Sequence, residues 1–585
     1  MIERSHTGRI FFAIMTIALL WMGLGVRLVY LHLGPNEGLR ARVERIRAVE
    51  QEIPVGRGRI LDCHNNILAL DLAVKDVCVD PKTIVSNGHL KVVGAHLARM
   101  LQLDPAMVFS KLNRPTRRYE CVKKFVEEDT AKLIERMQLK GVFMRDTTTR
   151  YYPHGPMMCH VLGFSNMEGV GSAGLELKMN FYLRGRSGFR ISEKDGRRRE
   201  LYMHRRLEIN PQEGCDIYTT IDQNIQYIVE KTLDAAMVEH SAQGAWAIVE
   251  RVKTGEILAM ACRPAYDLND YRTTPAGKML NRSIGYVYEP GSTFKVAVIA
   301  AALNEGTVHP DQIFNCENGR WIYQGRPLRD FHPYGMLSVA DIVKKSSNIG
   351  AAKVALTLGE SRLEKYLRAF GFGKKTGIDL PGEEGGILHQ RAKWTSLSIS
   401  RIAMGHEVGV SSLQMLNMLC SIANNGFLMR PMVVQRVVDA QNRTLASFSP
   451  EVMGRPIREE TAQKMQQLLT RVTEKGGTGT RAQVEGYHVG GKTGTAIKPI
   501  PGGYSHDRNI ASFVGFIPSD SPELGIIVVI DEPQPLHTGG VVAAPVFREI
   551  ASQVVRYLDI PPTDAEPVLV LDDTPPSDEI PDENL

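Results

Sequence analysis

The run from Ser292 to Leu303, which follows Pro290-Gly291, constrains the fold of this chain more than any other segment. Proline and glycine interrupt regular structure, and the residues after them favour a helix that ends near Gly306. The run is apolar on almost every side, and Lys295 is its only charged residue. Because a helix that is apolar all round has to be buried, the sequence predicts a central helix with a lysine inside the domain.

Ser292 and Lys295 lie one helical turn apart, so a helix places their side chains on the same face. Burial disfavours a charged amine, so we expect the pKa of Lys295 to fall and the amine to act as a base. The free N–H groups at the helix N-terminus favour negative charge developing near Ser292. This pair is therefore a candidate nucleophile with its activator. The bare Ser-x-x-Lys pattern also fits a capping serine and a lysine that reaches solvent.

Two further polar motifs follow along the chain. Ser346-Ser347-Asn348 lies between an amphipathic segment and a helix of small residues, and its alternative interpretation is a polar helix boundary. Lys492-Thr493-Gly494-Thr495 lies in an extended run of small residues, where a substrate backbone can approach a sheet edge. Two other Lys-Thr-Gly tripeptides occur. Lys253-Thr254-Gly255 predicts a hairpin turn, and Lys375-Thr376-Gly377 lies in a loop rich in glycine and proline.

In this order, Ser-x-x-Lys, Ser-x-Asn and Lys-Thr-Gly resemble the signature of penicillin-binding proteins and serine β-lactamases. The flanking segments resemble the transpeptidase domain of a class B penicillin-binding protein: YEPGSTFK, KKSSNIGAAKVALTLG, FGFGKKTGIDLPGEEGG, VGGKTGTA and ASFVGFIPSDSPELGIIVVIDEP.

The resemblance implies a serine acyl-enzyme mechanism without a metal or another cofactor. Ser292 attacks the carbonyl of a stem peptide that ends in D-Ala-D-Ala, and Lys295 is the base. Ser346 and Lys492 carry protons to and from the leaving and incoming amines. Asn348 orients the substrate amide and Lys295. β-Lactams are expected to acylate Ser292 because they mimic the same peptide.

The resemblance also implies how the substrate is held. Thr493, Gly494 and Thr495 form the substrate-binding edge, and the two threonines bind the terminal carboxylate with help from the Lys492 charge. The backbone N–H groups of Ser292 and Thr495 form the oxyanion hole, which stabilises the charge of the transition state.

The N-terminal segment predicts a membrane anchor. Residues 10–26 carry no charge, and residues 28–33 continue the apolar run to a length that can span a bilayer. No small-x-small cleavage pattern follows, which favours an uncleaved anchor over a signal peptide. Arginines flank the run on both sides, so charge alone does not orient it. The resemblance implies a cytoplasmic N-terminus with the catalytic domain outside, on the periplasmic side of the inner membrane.

Residues 34 to about 50 predict a charged juxtamembrane helix, and segments beyond it resemble the non-catalytic pedestal of class B enzymes. These segments are residues 56–69, Arg150-Tyr151-Tyr152-Pro153 and residues 171–176. The family usually has Asp-Arg-Asn-Gly where this chain has Asp62-Cys63-His64-Asn65-Asn66. Asparagine tolerates a left-handed backbone, so we expect the turn to survive.

The pattern from residue 219 onward predicts an α+β domain. A helix over 223–239 precedes a hairpin around residues 253–255, and a second hairpin flanks residues 518–523. With the Lys492 strand these give about five antiparallel strands, and a last helix over 545–558 covers the sheet. The resemblance implies the penicillin-binding serine transpeptidase fold, with a helical subdomain against this sheet and an elongated β-rich pedestal before it. The predicted divisions are a cytoplasmic tail (1–9), a transmembrane anchor (10–33), a pedestal of the dimerisation type (34–210), a transpeptidase domain (211–560) and a disordered acidic tail (561–585).

Composition and charge exclude few classes of function. A net charge of +5 over 585 residues gives no reason to expect a nucleic-acid partner. A basic run over 196–206 fits a solvated linker, or a contact with anionic cell-wall polymer or lipid. The eight cysteines show no Cys-x-x-Cys spacing, so neither a zinc site nor a redox motif is suggested, and their pairing stays open.

The segments RIAMGHEVGVSSLQ and VVIDEP resemble the division (FtsI) type of class B enzyme. The resemblance implies a role at the division septum with an FtsW-type glycosyltransferase and other division proteins. Residues 410–414 depart from the usual Val-Thr-Pro-Leu-Gln, so an elongation-type enzyme is one alternative. The others are a D,D-carboxypeptidase, a β-lactamase, and a β-lactam sensor or scaffold.

Overall fold

The computed structural model describes residues 3–33, 48–53, 55–194, 200–201, 207–500 and 503–563. Contacts divide the chain into two units: residues 1–55 with 186–212, and residues 56–185 with 213–585. The smaller unit begins with helix α1 (Glu3–Leu33) and strand β1 (Ala48–Ile53). Thr7–Leu33 has a mean hydropathy of 2.0 and is long and apolar enough to cross a membrane.

The predicted juxtamembrane helix is wrong at its end, because residues 48–53 pair with residues 188–193 as antiparallel strands. Strand pairing with a distant segment overrides local helix preference here. Residues 34–47, where the rest of that prediction falls, lie outside the described part of the chain, as do most of the basic run and residues 564–585 of the acidic tail.

The larger unit begins with these elements: β2 (Ile60–Leu61), β3 (Ile67–Val79), α2 (Pro81–Ser86), α3 (Leu90–Leu101), α4 (Pro105–Leu112), β4 (Glu120–Val126), α5 (Glu128–Arg136), β5 (Val142–Tyr151), α6 (Cys159–Leu162), α7 (Gly174–Lys178) and α8 (Asn180–Leu183). The smaller unit then resumes with β6 (Gly188–Lys194), β7 (Glu200–Leu201) and β8 (Leu207–Ile209).

The larger unit continues with these elements: β9 (Asp216–Thr219), α9 (Gln223–Glu239), β10 (Gly244–Arg251), β11 (Ile257–Arg263), α10 (Arg282–Gly285), α11 (Lys295–Asn304), β12 (Ile313–Asn315), β13 (Arg320–Tyr323), β14 (Arg326–Arg329), β15 (Met336–Ser338), α12 (Val339–Lys345), α13 (Asn348–Leu358) and α14 (Glu360–Ala369). Its last part contains β16 (Ile387–Leu388), α15 (Ser398–Ile402), β17 (Val408–Gly409), α16 (Ser412–Ala423), β18 (Leu428–Met429), β19 (Val434–Val438), β20 (Thr444–Ser447), β21 (Val452–Gly454), α17 (Glu459–Thr470), β22 (Gly490–Ile500), β23 (Gly503–Ile517), β24 (Leu524–Asp531) and α18 (Gly539–Tyr557).

A five-stranded antiparallel sheet, in the order β11-β10-β24-β23-β22, organises the larger unit. Successive side chains alternate between its faces. Ala245 and Val249 pack with α9 and α18 on one face, whereas Trp246 and Ile248 pack in the core that contains α11. Every residue of α11 from Lys295 to Leu303 is buried, as its all-round apolar pattern predicts. The α+β class, the five strands and the edge position of the Lys492 strand are confirmed.

Helix α18 begins at Gly539, six residues before the predicted start at Pro545. Proline usually marks the beginning of a helix because it lacks an N–H donor. Here Val542 and Phe547, on either side of Pro545, are fully buried against the sheet, and this packing carries the helix through the proline.

A second sheet has the order β20-β19-β9-β2-β3-β4, with β5 paired to β3. Strand β2 runs parallel to β9, which places the β2–β3 turn beside the loop that leads into α9. Asn65 in that turn adopts a left-handed backbone with φ of 70°, as predicted. A buried network of Arg57, Arg150 and Glu176 ties the motifs of this region together, with an Arg150 Nε to Glu176 Oε1 distance of 2.6 Å.

Candidate active site

The turn that carries Ser292 lies directly on the edge strand β22. Gly291 has a φ of +57°, and a Cβ added there would lie 2.8 Å from the Thr495 carbonyl oxygen. A Cβ on Gly494 would lie 2.9 Å from Cγ2 of Thr293. Only glycine permits the two backbones to lie this close. Gly291 and Gly494 therefore allow the start of the central helix to pack against the Lys-Thr-Gly strand.

Lys295 is 1% exposed at the beginning of α11. Its Nζ donates to the Ser346 carbonyl oxygen at 2.6 Å, to Ser346 Oγ at 3.2 Å and to Asn348 Oδ1 at 2.7 Å. Burial lowers the pKa of Lys295 to about 7, and the Asp330 carboxylate opposes this shift. The amine is therefore neutral in a large fraction of molecules near neutral pH, as expected from the sequence.

Ser346 lies between two buried lysines. It ends α12 in a left-handed conformation with φ of 61°, which turns its hydroxyl toward both amines. Lys492 Nζ donates to Ser346 Oγ at 2.9 Å. Burial, and then the charge of Lys295, lower the pKa of Lys492 well below its ordinary value. Two amines that share one hydroxyl oxygen in a buried site cannot both hold a positive charge easily, so the arrangement suits proton transfer.

Asn348 begins α13, and Asp330 holds it in place. The Asp330 Oδ1 accepts from the backbone N–H groups of Asn348 and Ile349, and Oδ2 accepts from Ser347 Oγ at 2.6 Å. The side-chain amide of Asn348 donates to the Arg329 carbonyl at 2.9 Å, which directs its oxygen toward Lys295. Asp330 was missed from the sequence, since an aspartate in a loop 18 residues earlier carries no motif.

Glu289 supports the serine turn from the other side. Its carboxylate accepts from His406 Nδ1 at 2.9 Å and from the backbone N–H of Glu407 at 3.0 Å. The Gly405 carbonyl oxygen accepts a hydrogen bond from the backbone N–H of Gly291 at 3.3 Å. The segment that resembles division-type enzymes thus anchors the residues that precede Ser292.

A cavity of about 580 Å³ opens over these groups. Half-buried Ser292 lines it together with Ser346, Thr493 and Thr495. Thr493 Oγ1 is 2.9 Å from Thr478 Oγ1, and Thr495 Oγ1 accepts from the Gly539 N–H at 3.1 Å. Lys345 and Arg481 also line the cavity and make its wall cationic.

The structure brings the predicted site residues together. Lys295, Ser346, Asn348 and Lys492 form one hydrogen-bonded group, and Ser292, Thr493 and Thr495 face the same cavity. Gly494 lies within the strand between the two threonines. The other two Lys-Thr-Gly tripeptides lie elsewhere. Lys253 pairs with Glu523 at 2.6 Å in the β10–β11 turn, and Thr376 binds Glu383 in a loop.

Comparison with known proteins agrees with this geometry. The family described as the "Penicillin binding protein transpeptidase domain" matches residues 245–552, more than half of the chain. The "Penicillin-binding Protein dimerisation domain" matches residues 52–219. The chain therefore belongs to the class B penicillin-binding proteins, and it carries their transpeptidase domain.

Its relatives include a peptidoglycan D,D-transpeptidase and a sporulation protein. The chain is 32% identical to the peptidoglycan D,D-transpeptidase FtsI of Escherichia coli K12, over 88% of this chain and 85% of that protein. It is 31% identical to stage V sporulation protein D of Bacillus subtilis, over 95% of this chain and 86% of that protein. Among solved structures, penicillin-binding protein 2X of Streptococcus thermophilus aligns with a TM-score of 0.74 and 25% identity, over 87% of this chain and 80% of that one.

Proposed function

We propose that this protein is a peptidoglycan D,D-transpeptidase that cross-links stem peptides through an acyl-enzyme on Ser292. The observation that carries the proposal is the Lys295 amine, which is buried, neutralisable near pH 7 and bonded to both Ser346 and Asn348. This group lies at the cavity that Ser292 lines. A serine nucleophile needs such a base within reach to attack a peptide carbonyl.

In the first step, the Ser292 hydroxyl attacks the carbonyl of the penultimate D-alanine, and neutral Lys295 takes the hydroxyl proton. The backbone N–H groups of Ser292 and Thr495 stabilise the oxyanion. As the peptide bond breaks, a proton passes through Ser346 and Lys492 to the departing D-alanine amine. The ester on Ser292 remains.

In the second step, an amine from a neighbouring stem peptide attacks this ester. The same group of lysines and Ser346 removes its proton and returns one to Ser292, so a new amide forms and the enzyme is restored. Asn348 orients the substrate amide. Before D-alanine leaves in the first step, the hydroxyl groups of Thr493 and Thr495 bind its terminal carboxylate. That carboxylate favours protonation of Lys492, whose pKa burial lowers in the free protein.

The test uses the purified full chain in detergent with a peptide that ends in D-Ala-D-Ala and an acceptor amine. We expect D-alanine release together with an amide product, and loss of both in the Ser292→Ala variant. D-alanine release with hydrolysis alone, whatever the acceptor concentration, identifies a carboxypeptidase. Retention of both products by Ser292→Ala refutes the assignment of the nucleophile.

We also propose that the cross-linking serves septal wall synthesis. Two observations support this role: the FtsI relative at 32% identity, and the RIAMGHEVGV segment, whose Glu289 to His406 bond supports the serine turn. The proposed partner is an FtsW-type glycosyltransferase. In the organism that makes the protein, depletion is expected to give filaments that do not divide, and a fluorescent fusion to collect at the septum. Rounded cells with a fusion spread along the wall identify an elongation enzyme.

Helix α1 is proposed to anchor the protein with its N-terminus in the cytoplasm and the rest outside the membrane. Its apolar span of residues 7–33 supports the anchor. A phosphatase fused to the C-terminus, active only after export, is expected to be active in cells. An inactive phosphatase fusion, together with an active cytoplasmic reporter at the same position, would show that the C-terminus lies in the cytoplasm and would refute the proposed orientation.

A further inference from the structure

A cluster of potential metal ligands lies where the β2–β3 turn meets the loop before α9, and none of its residues lines the active-site cavity. The ligand atoms of Cys63, His64 and Asp222 all lie within 4.8 Å of one another. The His64 Nε2 to Asp222 Oδ2 distance is 2.9 Å. His64 and Asp222 are 158 positions apart in the sequence, so only the fold reveals the cluster.

The three donors point to one class of cation. A thiol, an imidazole and a carboxylate suit zinc, whereas calcium and magnesium prefer oxygen donors alone. Zinc binds sulfur at about 2.3 Å and nitrogen or oxygen at about 2.0–2.2 Å, so its tetrahedral ligands lie roughly 3.3–3.7 Å apart. The side chain of His64 is 56% exposed, which leaves it room to turn and leaves the fourth position open to water.

The backbone that carries the ligands is held in place. Asp62 Oδ1 accepts from the N–H groups of His64 at 2.8 Å and Asn66 at 2.7 Å. The Cys63 N–H donates to the Ile221 carbonyl at 2.9 Å. Asp222 uses Oδ1 to cap α9, which leaves Oδ2 directed at His64. Such outer hydrogen bonds orient metal ligands and strengthen binding.

The local charge also favours a cation. The carboxylate of Asp222 lies beside the Cys63 thiol, and the carboxylate of Asp62 accepts from the N–H of the neighbouring His64. Those negative groups oppose a bare thiolate. A bound divalent cation reverses this balance, because it compensates the carboxylates and stabilises the thiolate directly.

We propose that Cys63, His64 and Asp222 bind a zinc ion that joins the β2–β3 turn to the start of α9. On binding, the sulfur of Cys63 forms a bond to zinc and its proton is released to solvent. The site holds two segments of the larger unit together and takes no part in acylation of Ser292.

The test uses the full chain in detergent, without a polyhistidine tag, after removal of metals with a chelator. Zinc chloride is titrated by calorimetry, and cobalt(II) is added separately to look for a thiolate-to-cobalt absorption band. We expect one zinc per chain and the cobalt band, with binding at least about 100-fold weaker in Cys63→Ser and about 10-fold weaker or more in His64→Gln. The control Cys121→Ser removes another partly exposed thiol and is expected to bind as the wild type does.

Zinc at 100 times its dissociation constant is expected to shift the unfolding equilibrium about 100-fold in the wild type and not in Cys63→Ser. Labelling of Ser292 by penicillin verifies that each variant is folded. The proposal is overturned if the wild type binds no stoichiometric zinc, or if Cys63→Ser and His64→Gln bind zinc as tightly as the wild type does. It is also overturned if Cys121→Ser loses as much zinc affinity as Cys63→Ser. Magnesium binding as tightly as zinc overturns it as well.

Discussion

The pH dependence of β-lactam acylation follows from the burial of Lys295. Only the neutral amine can accept the Ser292 proton, and burial lowers the pKa of Lys295 to about 7. The neutral fraction is then roughly 90% at pH 8, roughly 10% at pH 6 and roughly 1% at pH 5. The second-order rate constant of acylation should therefore fall about 10-fold from pH 8 to pH 6, and about 9-fold more by pH 5.

The assay follows a fluorescent penicillin whose only ionisable group is its carboxylate, by rapid mixing at each pH. Samples returned from pH 5 to pH 8 should recover the full rate, which separates titration from unfolding. Lys295→Arg should abolish acylation at every pH, because a guanidinium stays charged. A rate that still rises 10-fold per unit between pH 8 and pH 9, as an ordinary lysine with a pKa of about 10.4 requires, refutes the reasoning.

Three further substitutions have defined outcomes. Burial raises the pKa of Glu250 to about 8, so the folded protein keeps a proton that the unfolded chain releases above about pH 4.3. Stability therefore falls by roughly 3.5 kcal/mol between pH 5 and pH 8. The melting temperature of Glu250→Gln should exceed that of the wild type by a margin that grows over this range. Equal pH dependence in both proteins contradicts this. Asp330→Asn weakens the support of Asn348, so the acylation rate should fall about 10-fold. It also removes the charge that raises the pKa of Lys295, so the midpoint of the pH–rate profile should move to lower pH. An unchanged pH–rate profile refutes the positioning role of Asp330. Gly494→Ala places a methyl group 2.4 Å from Ser512 Oγ and should slow acylation at least about 10-fold, whereas the control Gly503→Ala meets nothing within 4 Å and should not.

The sequence predicted the parts of the fold that depend on local patterns. The apolar helix that follows Ser292, the helix over 223–239 and the edge strand with Lys492 were all placed correctly, because burial and strand pairing impose visible periodicities. Of the three Lys-Thr-Gly tripeptides, the one that was selected for its extended run of small residues lies beside Ser346. The roles of the site residues and the domain boundaries stay predictions.

The remaining features depend on contacts between distant residues. Asp330 supports Asn348 from a loop, and Glu289 reaches His406 across 117 positions. Neither contact produces a periodic pattern in the sequence. The β1 strand and the first six residues of α18 form because tertiary packing overrides the local preference of their residues. Fold contacts alone also bring Cys63 beside Asp222.

The central claim is that Ser292 is the nucleophile and that Lys492 belongs to its catalytic group. Intact-mass spectrometry after benzylpenicillin treatment tests both parts in one experiment, with peptide mapping of the adduct. The account predicts one stable adduct per chain on Ser292, none in Ser292→Ala, slow formation in Lys492→Ala, and wild-type formation in the control Lys253→Ala. An adduct on Ser292→Ala, no adduct on the wild type, or equal rates in both lysine variants would contradict it.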